Sequence, residues 1–366
     1  MTVPFLDLRA AYAELRTELD AAYARVLASG RYVLGPETEA FEAEFAAFCG
    51  APHCVTVGSG CDALELALRA LDIGDGDEVI VPSHTFIATW LAVSAAGARP
   101  VPVEPDERTG TMDPARIEAA ITGRTRAIMP VHLYGHPADL DGINEVAASR
   151  GLAVLEDAAQ AHGARYRGRR VGEGSTVAAF SFYPGKNLGA MGDGGAVLTA
   201  DAGLAERVRL LRNYGSRVKY QHELRGTNSR LDELQAAFLR VKLAHLPEWN
   251  RRRAEVATRY LTDLAGLPGL TLPGVASWAE PVWHLFVVRT AARDRLRAAL
   301  HRSGVETIIH YPVPPHLAPA YAGPDVPAGG YPVAERLADE VLSLPIGPHL
   351  SAEQVKTVVA AVRAGL

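Results

Sequence analysis

Apolar residues recur mostly at three- and four-residue steps over residues 4–29, through Leu6, Leu8, Tyr12, Leu15, Leu19, Tyr23 and Val26. That is the period of a helix with one buried face. The stretch GRYVLGPE at 30–37 interrupts it. Up to about residue 200 the period then changes. Seven short apolar runs read as strands: CVTV at 54–57, EVIVP at 78–82, RPVPV at 99–103, RAIMPV at 126–131, LAVLE at 152–156, VAAFSF at 177–182 and GAVLT at 195–199. Helical patterns lie between many of them, such as ALELALRAL at 63–71 and LDGINEVAASR at 140–150. Strands that are apolar on both faces and alternate with helices predict an α/β fold with a mostly parallel sheet between helical layers.

Beyond residue 200 the alternation stops. Residues 202–212 and 231–243 carry helical patterns, and a longer one from Pro247 to about Leu264 has polar faces suited to bridging two domains. HLFVVRT, ARDRLRAALHRSG, VETIIHY and a final helix SAEQVKTVVAAVRAG follow. The pattern predicts a large domain over residues 1–245 and a small C-terminal α+β domain over 246–366. A Pro-, Ala- and Gly-rich stretch at 313–332 reads as a long loop.

Composition narrows the function classes. The chain has 366 residues, 48% of them hydrophobic, enough for one large and one small domain. A net charge of −5 argues for neither nucleic acid nor an anionic membrane as partner. Three cysteines, Cys49, Cys54 and Cys61, form no CxxC pair, so neither a disulfide framework nor a metal site is expected. No apolar run is long enough to span a membrane, and the first twenty residues are too acidic for a signal peptide. The expected setting is cytoplasmic.

Three motifs carry chemistry. In VTVGSGCDALELAL at 55–68 a strand runs through GSG into a helix, whose free N–H groups suit a phosphate. Gly58, Gly60 and Ala63 also fit a dinucleotide fingerprint, and a plain turn is a third reading. The dinucleotide reading needs an acid at the end of the next strand. That strand ends Pro82-Ser83-His84-Thr85, with Glu78 at its other edge. In LAVLEDAAQAHGA at 152–164, Asp157 stands at a strand's carboxyl end with Gln160 three residues on. It reads either as a helix cap or as the partner of a protonated ring nitrogen. In AFSFYPGKNLGAMGDGGAV at 179–197, Lys186 lies in a glycine-rich loop beside Ser181 and Tyr183. A lysine with a depressed pKa in such a loop can form an imine with a carbonyl. Phosphate cup, strand-end Asp and loop lysine, in that order, are what pyridoxal 5′-phosphate (PLP) requires.

The chain also resembles the DegT/DnrJ/EryC1/StrS sugar aminotransferases over essentially its whole length. The resemblance rests on GRYVLGPETEAFEAEFA, GDEVIVPSHTFIAT, EDAAQAHGA, SFYPGKN, GDGGAV, RNYGS, GTNSRLDELQAA and HYPVPPHL, besides the GSG motif. It implies the type I PLP aminotransferase fold. PVHLYGHPADLD and NYGSRVKYQHELRGTNSRLDELQAA look like the branch that aminates carbon 3 of nucleotide-linked 3-keto-6-deoxyhexoses. By resemblance Lys186 is the Schiff-base lysine and moves the proton, Asp157 holds the pyridine nitrogen, and Gln160 contacts the phenolic oxygen. Phe86 stacks on the ring. Gly60, Cys61 and Ser181 hold the phosphate, as does Asn228 from a second subunit. Tyr183, His310 and Tyr311 lie near the sugar, as does Lys219 from the second subunit. A homodimer with shared sites and L-glutamate as amino donor are further implications. The family often has Thr where Cys61 stands, which puts a hydroxyl contact to phosphate in doubt. Rival readings are amination at carbon 4, a family dehydratase (which carries His in place of the lysine), a non-catalytic binding module of the same fold, and a nicotinamide oxidoreductase.

Overall fold

The computed structural model describes residues 2–323 and 328–366. Residues 324–327, inside the loop expected at 313–332, lie outside the described residues. All seven strand-like runs enter one sheet: β1 (His53–Val57), β2 (Glu78–Pro82), β3 (Arg99–Val103), β4 (Thr125–Ile128), β5 (Ala153–Asp157), β6 (Val177–Ser181) and β7 (Gly195–Thr199). The spatial order is β1-β7-β6-β5-β4-β2-β3. Strands β3, β2, β4, β5 and β6 run parallel, whereas β7 is antiparallel to both of its neighbours. Parallel strands need helical crossovers that cover both faces. Apolar cores result on both faces: around Val55, Leu66, Val79, Trp90 and Val197 on one, and around Phe41, Phe45, Phe180, Phe182 and Leu246 and around Ile80, Val103, Ile128 and Ile143 on the other.

The helices are α1 (Leu8–Ser29), α2 (Pro36–Cys49), α3 (Gly60–Ala70), α4 (Ala88–Ala95), α5 (Leu140–Arg150), α6 (Ala202–Leu211), α7 (Glu233–Asp263), α8 (Arg293–Arg302), α9 (Pro332–Glu340) and α10 (Ala352–Gly365). The two helical patterns expected around Pro247 are one 31-residue helix, α7, with the proline inside it. Proline removes one helical hydrogen bond. Burial of Leu243, Leu246, Trp249 and Arg253 on either side holds the two halves in line. At 1.5 Å per residue α7 is about 46 Å long. Its last turns join a separate core with Val3, Phe286, Val288, Leu296, Leu344 and Val358. There β8 (Phe286–Arg289) pairs antiparallel with β9 (Val341–Leu344). No helix among the described residues is long and apolar enough to cross a membrane.

One buried carboxylate ties α2 to α7. Glu233 accepts from the backbone N–H groups of Gly35 (2.8 Å), Glu37 (2.9 Å) and Thr38 (2.9 Å), and from the Thr38 hydroxyl. Those N–H groups are the orphan donors at the start of α2, where a negative charge is favoured. Glu233→Gln keeps the shape but loses the charge and turns an NH₂ toward donors. It is expected to cost about 2–4 kcal/mol, read as a lower urea midpoint with an unchanged slope.

Candidate active site

The chemistry-bearing residues gather at the carboxyl ends of the parallel strands, where open α/β sheets place their ligands. Register begins the assembly. Gly195, at the start of β7, lies opposite Val57 on one side and Ser181 on the other. This brings the turn after β1 against the end of β6. A Cβ on Gly60 would stand 2.5 Å from the Ser181 Cβ, and one on Gly195 would stand 2.2 Å from the Ser59 carbonyl oxygen. Neither position has room for any side chain. Ser59 caps α3 by accepting from the Asp62 N–H at 3.1 Å. The first-turn N–H groups of Gly60 and Cys61 then face outward without intrahelical acceptors, beside the Ser181 hydroxyl. That is a cradle for an anion. The Cys61 thiol is turned away onto the Ala88 carbonyl at 3.9 Å, and burial pushes it up to about 11, so it is a neutral packing group.

Asp157 ends β5 and is 5% exposed. Its Oδ2 accepts from the Thr89 hydroxyl at 2.9 Å and its Oδ1 from the Ala159 N–H at 3.2 Å. Burial pushes its carboxyl up from the usual range, against those two donors and the charge of Lys186. A buried anion in this state seeks a cation. Gln160 is buried too. Its oxygen accepts from the Tyr134 N–H at 2.6 Å, and its NH₂ donates to the Tyr311 hydroxyl at 3.0 Å. Tyr134 in turn contacts His84 at 2.8 Å and donates to the His310 carbonyl. The ring of Phe86, half exposed, lies 5.3 Å from that of Tyr311.

Lys186 follows β6 on a turn closed by its N–H donating to the Tyr183 carbonyl at 2.9 Å. Strand alternation carries past β6: Phe182 is fully buried against Phe41 and Phe45, while Ser181 and Tyr183 face outward. Asn187 then locks the loop. It donates to the Asn250 side chain and to the Val282 carbonyl, both at 2.9 Å, and its oxygen meets His284 Nδ1 at 3.2 Å. Gly189 and Met191 are held by Lys242 and Gln235 of α7 at 2.7 Å each. The lysine thus stands on a loop fixed at three points along α7. Burial pushes its amine down to about 8, with Asp157 pulling the other way.

Of the residues expected from sequence, Gly60, Cys61, Ser181, Asp157, Gln160, Phe86, Lys186, His310 and Tyr311 come together in one chain, with Tyr183 exposed at the rim. Asn228 and Lys219 do not join them. Asn228 is exposed, although its neighbour Ser229 accepts from the Gly58 N–H at 2.9 Å and donates to Asp62 at 2.6 Å. Lys219 sits at the tip of an exposed hairpin (Ser216–Val218 with Gln221–His222), its ammonium 5.1 Å from the Tyr220 ring centre. Thr85, Thr89, Tyr134 and Asn250 were missed; only the polar positions inside TFIAT at 85–89 hinted at the first two. Glu78 lies at the far edge of the sheet, paired with Arg99 at 2.7 Å and Arg124 at 2.5 Å. The end of β2 thus carries no ribose acid. His84, His162 and His316 are all buried.

The donor set suits PLP along its length: N–H groups and a hydroxyl for phosphate, a buried carboxylate for a ring nitrogen, an aromatic face, and an amine of lowered pKa for an aldehyde. Comparison with known proteins agrees. Residues 13–363 match the model of the DegT/DnrJ/EryC1/StrS aminotransferase family. A dTDP-3-amino-3,4,6-trideoxy-alpha-D-glucose transaminase of Streptomyces venezuelae is 67% identical, over 99% of this chain and 95% of that protein. The erythromycin biosynthesis sensory transduction protein EryC1 of Saccharopolyspora erythraea is 66% identical over all of both chains. The crystal structure of S. venezuelae DesV with a ketimine intermediate superposes with a TM-score of 0.98, covering 99% of this chain and 98% of that one at 67% identity. The chain belongs to the DegT/DnrJ/EryC1/StrS aminotransferase family.

Proposed function

We propose that this protein is a PLP-dependent aminotransferase that moves the amino group of L-glutamate to the C3 ketone of a dTDP-3-keto-6-deoxyhexose in deoxysugar biosynthesis. The observation that carries the chemistry is the placement of Lys186, an amine of lowered pKa on a pinned loop, within the electrostatic reach of a buried Asp157. The substrate rests on the relatives, one of which is named for a 3-amino sugar. The name of EryC1 speaks of sensory transduction; a purely regulatory protein would leave this lysine and carboxylate without a use.

When bound, PLP supplies an electron sink for the carbon that loses or gains the amino group. Gly60, Cys61 and Ser181 would hold its phosphate, and Phe86 would offer it an aromatic face. Asp157 would keep the ring nitrogen protonated, and Gln160 would hold the phenolic edge. Lys186, an amine of lowered pKa, would bond the aldehyde at rest and would serve as the base and acid that moves a proton at the reacting carbon. Tyr183, His310 and Tyr311 flank the sugar. Burial brings His310 down to about 4, so it meets substrate as a neutral ring. In this reading the chain has a large lobe over 1–245 and a small lobe over 246–366, bridged by α7. Two copies pair, and the exposed segment around Lys219 and Asn228 of each completes the site of the other. Exposed Tyr214, Val218 and Tyr220 beside that segment support the pairing.

The test offers purified enzyme, pretreated with L-glutamate, a dTDP-3-keto- and a dTDP-4-keto-6-deoxyhexose. The visible band of the cofactor should return at least about 100-fold faster with the 3-keto sugar, and mass spectrometry should find the amino sugar. Faster return with the 4-keto sugar would move the reaction to carbon 4.

A further inference from the structure

The segment between β2 and α4 carries a chain of hydroxyls that ends on the site carboxylate. The Thr85 and Thr89 hydroxyl oxygens are 3.0 Å apart, and Thr89 Oγ1 is 2.9 Å from Asp157 Oδ2. Both threonines are buried, at 2% and 1% exposure. Proton counting fixes the direction of the chain. A hydroxyl has one proton. An ionised Asp157 can only accept, so Thr89 gives its proton to Asp157, and the proton between the two threonines must come from Thr85. Every dipole then points its positive end at the carboxylate. A neutral Asp157 could carry its proton on either oxygen: on Oδ2 it would reverse the chain, and on Oδ1 it would leave Thr89 donating to an uncharged, weaker acceptor. The arrangement therefore favours the anion, and hydrogen bonds in such a chain polarise one another. The Ala159 N–H takes one lone pair of Oδ1, which leaves one lone pair on each oxygen for the site.

The same short segment supplies Phe86, between the two threonines in sequence. One turn of chain thus presents an aromatic face to the site and a hydroxyl to the carboxylate below it.

We propose that Thr89, oriented by Thr85, is a positioning residue for the cofactor: its hydroxyl holds Asp157 ionised and aimed, and thereby holds the pyridine nitrogen protonated. This rests on the PLP reading above. It extends the reach of the site to two residues that touch no reacting atom.

The experiment loads the full-length protein with ¹⁵N-labelled PLP and reads the pyridine nitrogen by NMR, together with single-turnover reaction with L-glutamate. Thr89→Val keeps the shape and deletes the hydroxyl. Its ¹⁵N resonance is expected to move from the protonated toward the unprotonated position, and the single-turnover rate to fall about 10- to 100-fold, with little change in the glutamate concentration at half-maximal rate. Thr89→Ser should restore both. Thr85→Val should shift both in the same direction by less, and it serves as the readout if Thr89→Val does not fold. A role in packing alone would lower the melting temperature and leave the resonance in place. A wild-type resonance and rate in both Val variants would overturn the proposal and leave the PLP reading standing. Failure of the wild type to hold labelled PLP would instead remove the reading itself.

Discussion

Lys186→Ala is expected to abolish transamination, with a loss of at least about 10³-fold in single-turnover rate, while the protein still folds and still takes up PLP. The loop would survive the change because its hold does not pass through the lysine side chain. The Lys186 N–H stays on the Tyr183 carbonyl, and Asn187, Gly189 and Met191 stay on their partners. The phosphate cradle and Asp157 are likewise untouched, so affinity should fall far less than rate. What goes is the amine, and with it, in the proposed reading, both the covalent link to the aldehyde and the carrier of the proton. Treatment with borohydride followed by mass spectrometry separates these effects. The wild type should gain the mass of one reduced cofactor, and the variant none. Stability adds a second check with a definite sign. The amine of the cofactor-free protein is lowered by burial to about 8. The unfolded state therefore binds a proton more readily, and the lysine weakens the fold increasingly as pH drops from its unfolded value through about 8. At pH 7 the cofactor-free variant should melt no lower than the wild type. A variant that keeps its activity would place the chemistry on another group.

Why the lysine was legible in the sequence, and its supports were not, follows from how each is encoded. The seven strands announced themselves as apolar runs because a parallel sheet covered on both faces buries every position. The expected limits coincide with the observed ones or fall within one residue of them, except at the end of β4, where regular pairing stops at Ile128 and Val131 returns as a single parallel bridge to Asp157. The glycines around Gly60 and Gly195 and the acid at a strand end were visible for the same local reason: backbone geometry constrains residue type at that position. Direction is not local. The antiparallel course of β7 leaves no mark in its five residues, Gly195–Thr199. Nor did Pro247 reveal that α7 runs through it, because burial on both sides outweighs one lost hydrogen bond. The hidden parts of the site are all through-space relations. Thr89 meets Asp157 across 68 positions and Asn187 meets Asn250 across 63. Each of these polar residues looks like an ordinary cap or surface group in its own window. The resemblance to a family filled in Phe86, Gln160 and the sugar-side residues, which spacing alone had left open.

Asp157→Asn is expected to be the second most damaging change, and to act in opposite directions on activity and on the cofactor-free fold. Asparagine fits the same space, and its oxygen can still accept from Thr89. It carries no charge, however, and cannot hold a proton on the ring nitrogen. Breaking a buried charge pair costs about 3–5 kcal/mol. The single-turnover rate with L-glutamate should therefore fall about 10² to 10⁴-fold. The glutamate concentration at half-maximal rate should change much less, because in the proposed reading the carboxylate pairs the ring nitrogen and does not contact the amino acid. In the protein without cofactor the sign reverses. Burial raises the Asp157 carboxyl above its unfolded value of 3.8. A raised acid supports the fold only at low pH, and that support is lost as pH climbs through the folded value. At pH 7 the ionised group is a liability until the ring nitrogen pairs it. The cofactor-free variant should therefore unfold at a higher urea concentration than the wild type, and added PLP should raise its midpoint by less. Activity held at the expense of stability is the signature of a residue kept for chemistry. A variant that lost stability without cofactor and kept its rate would make Asp157 a structural cap of the turn leading to Gln160.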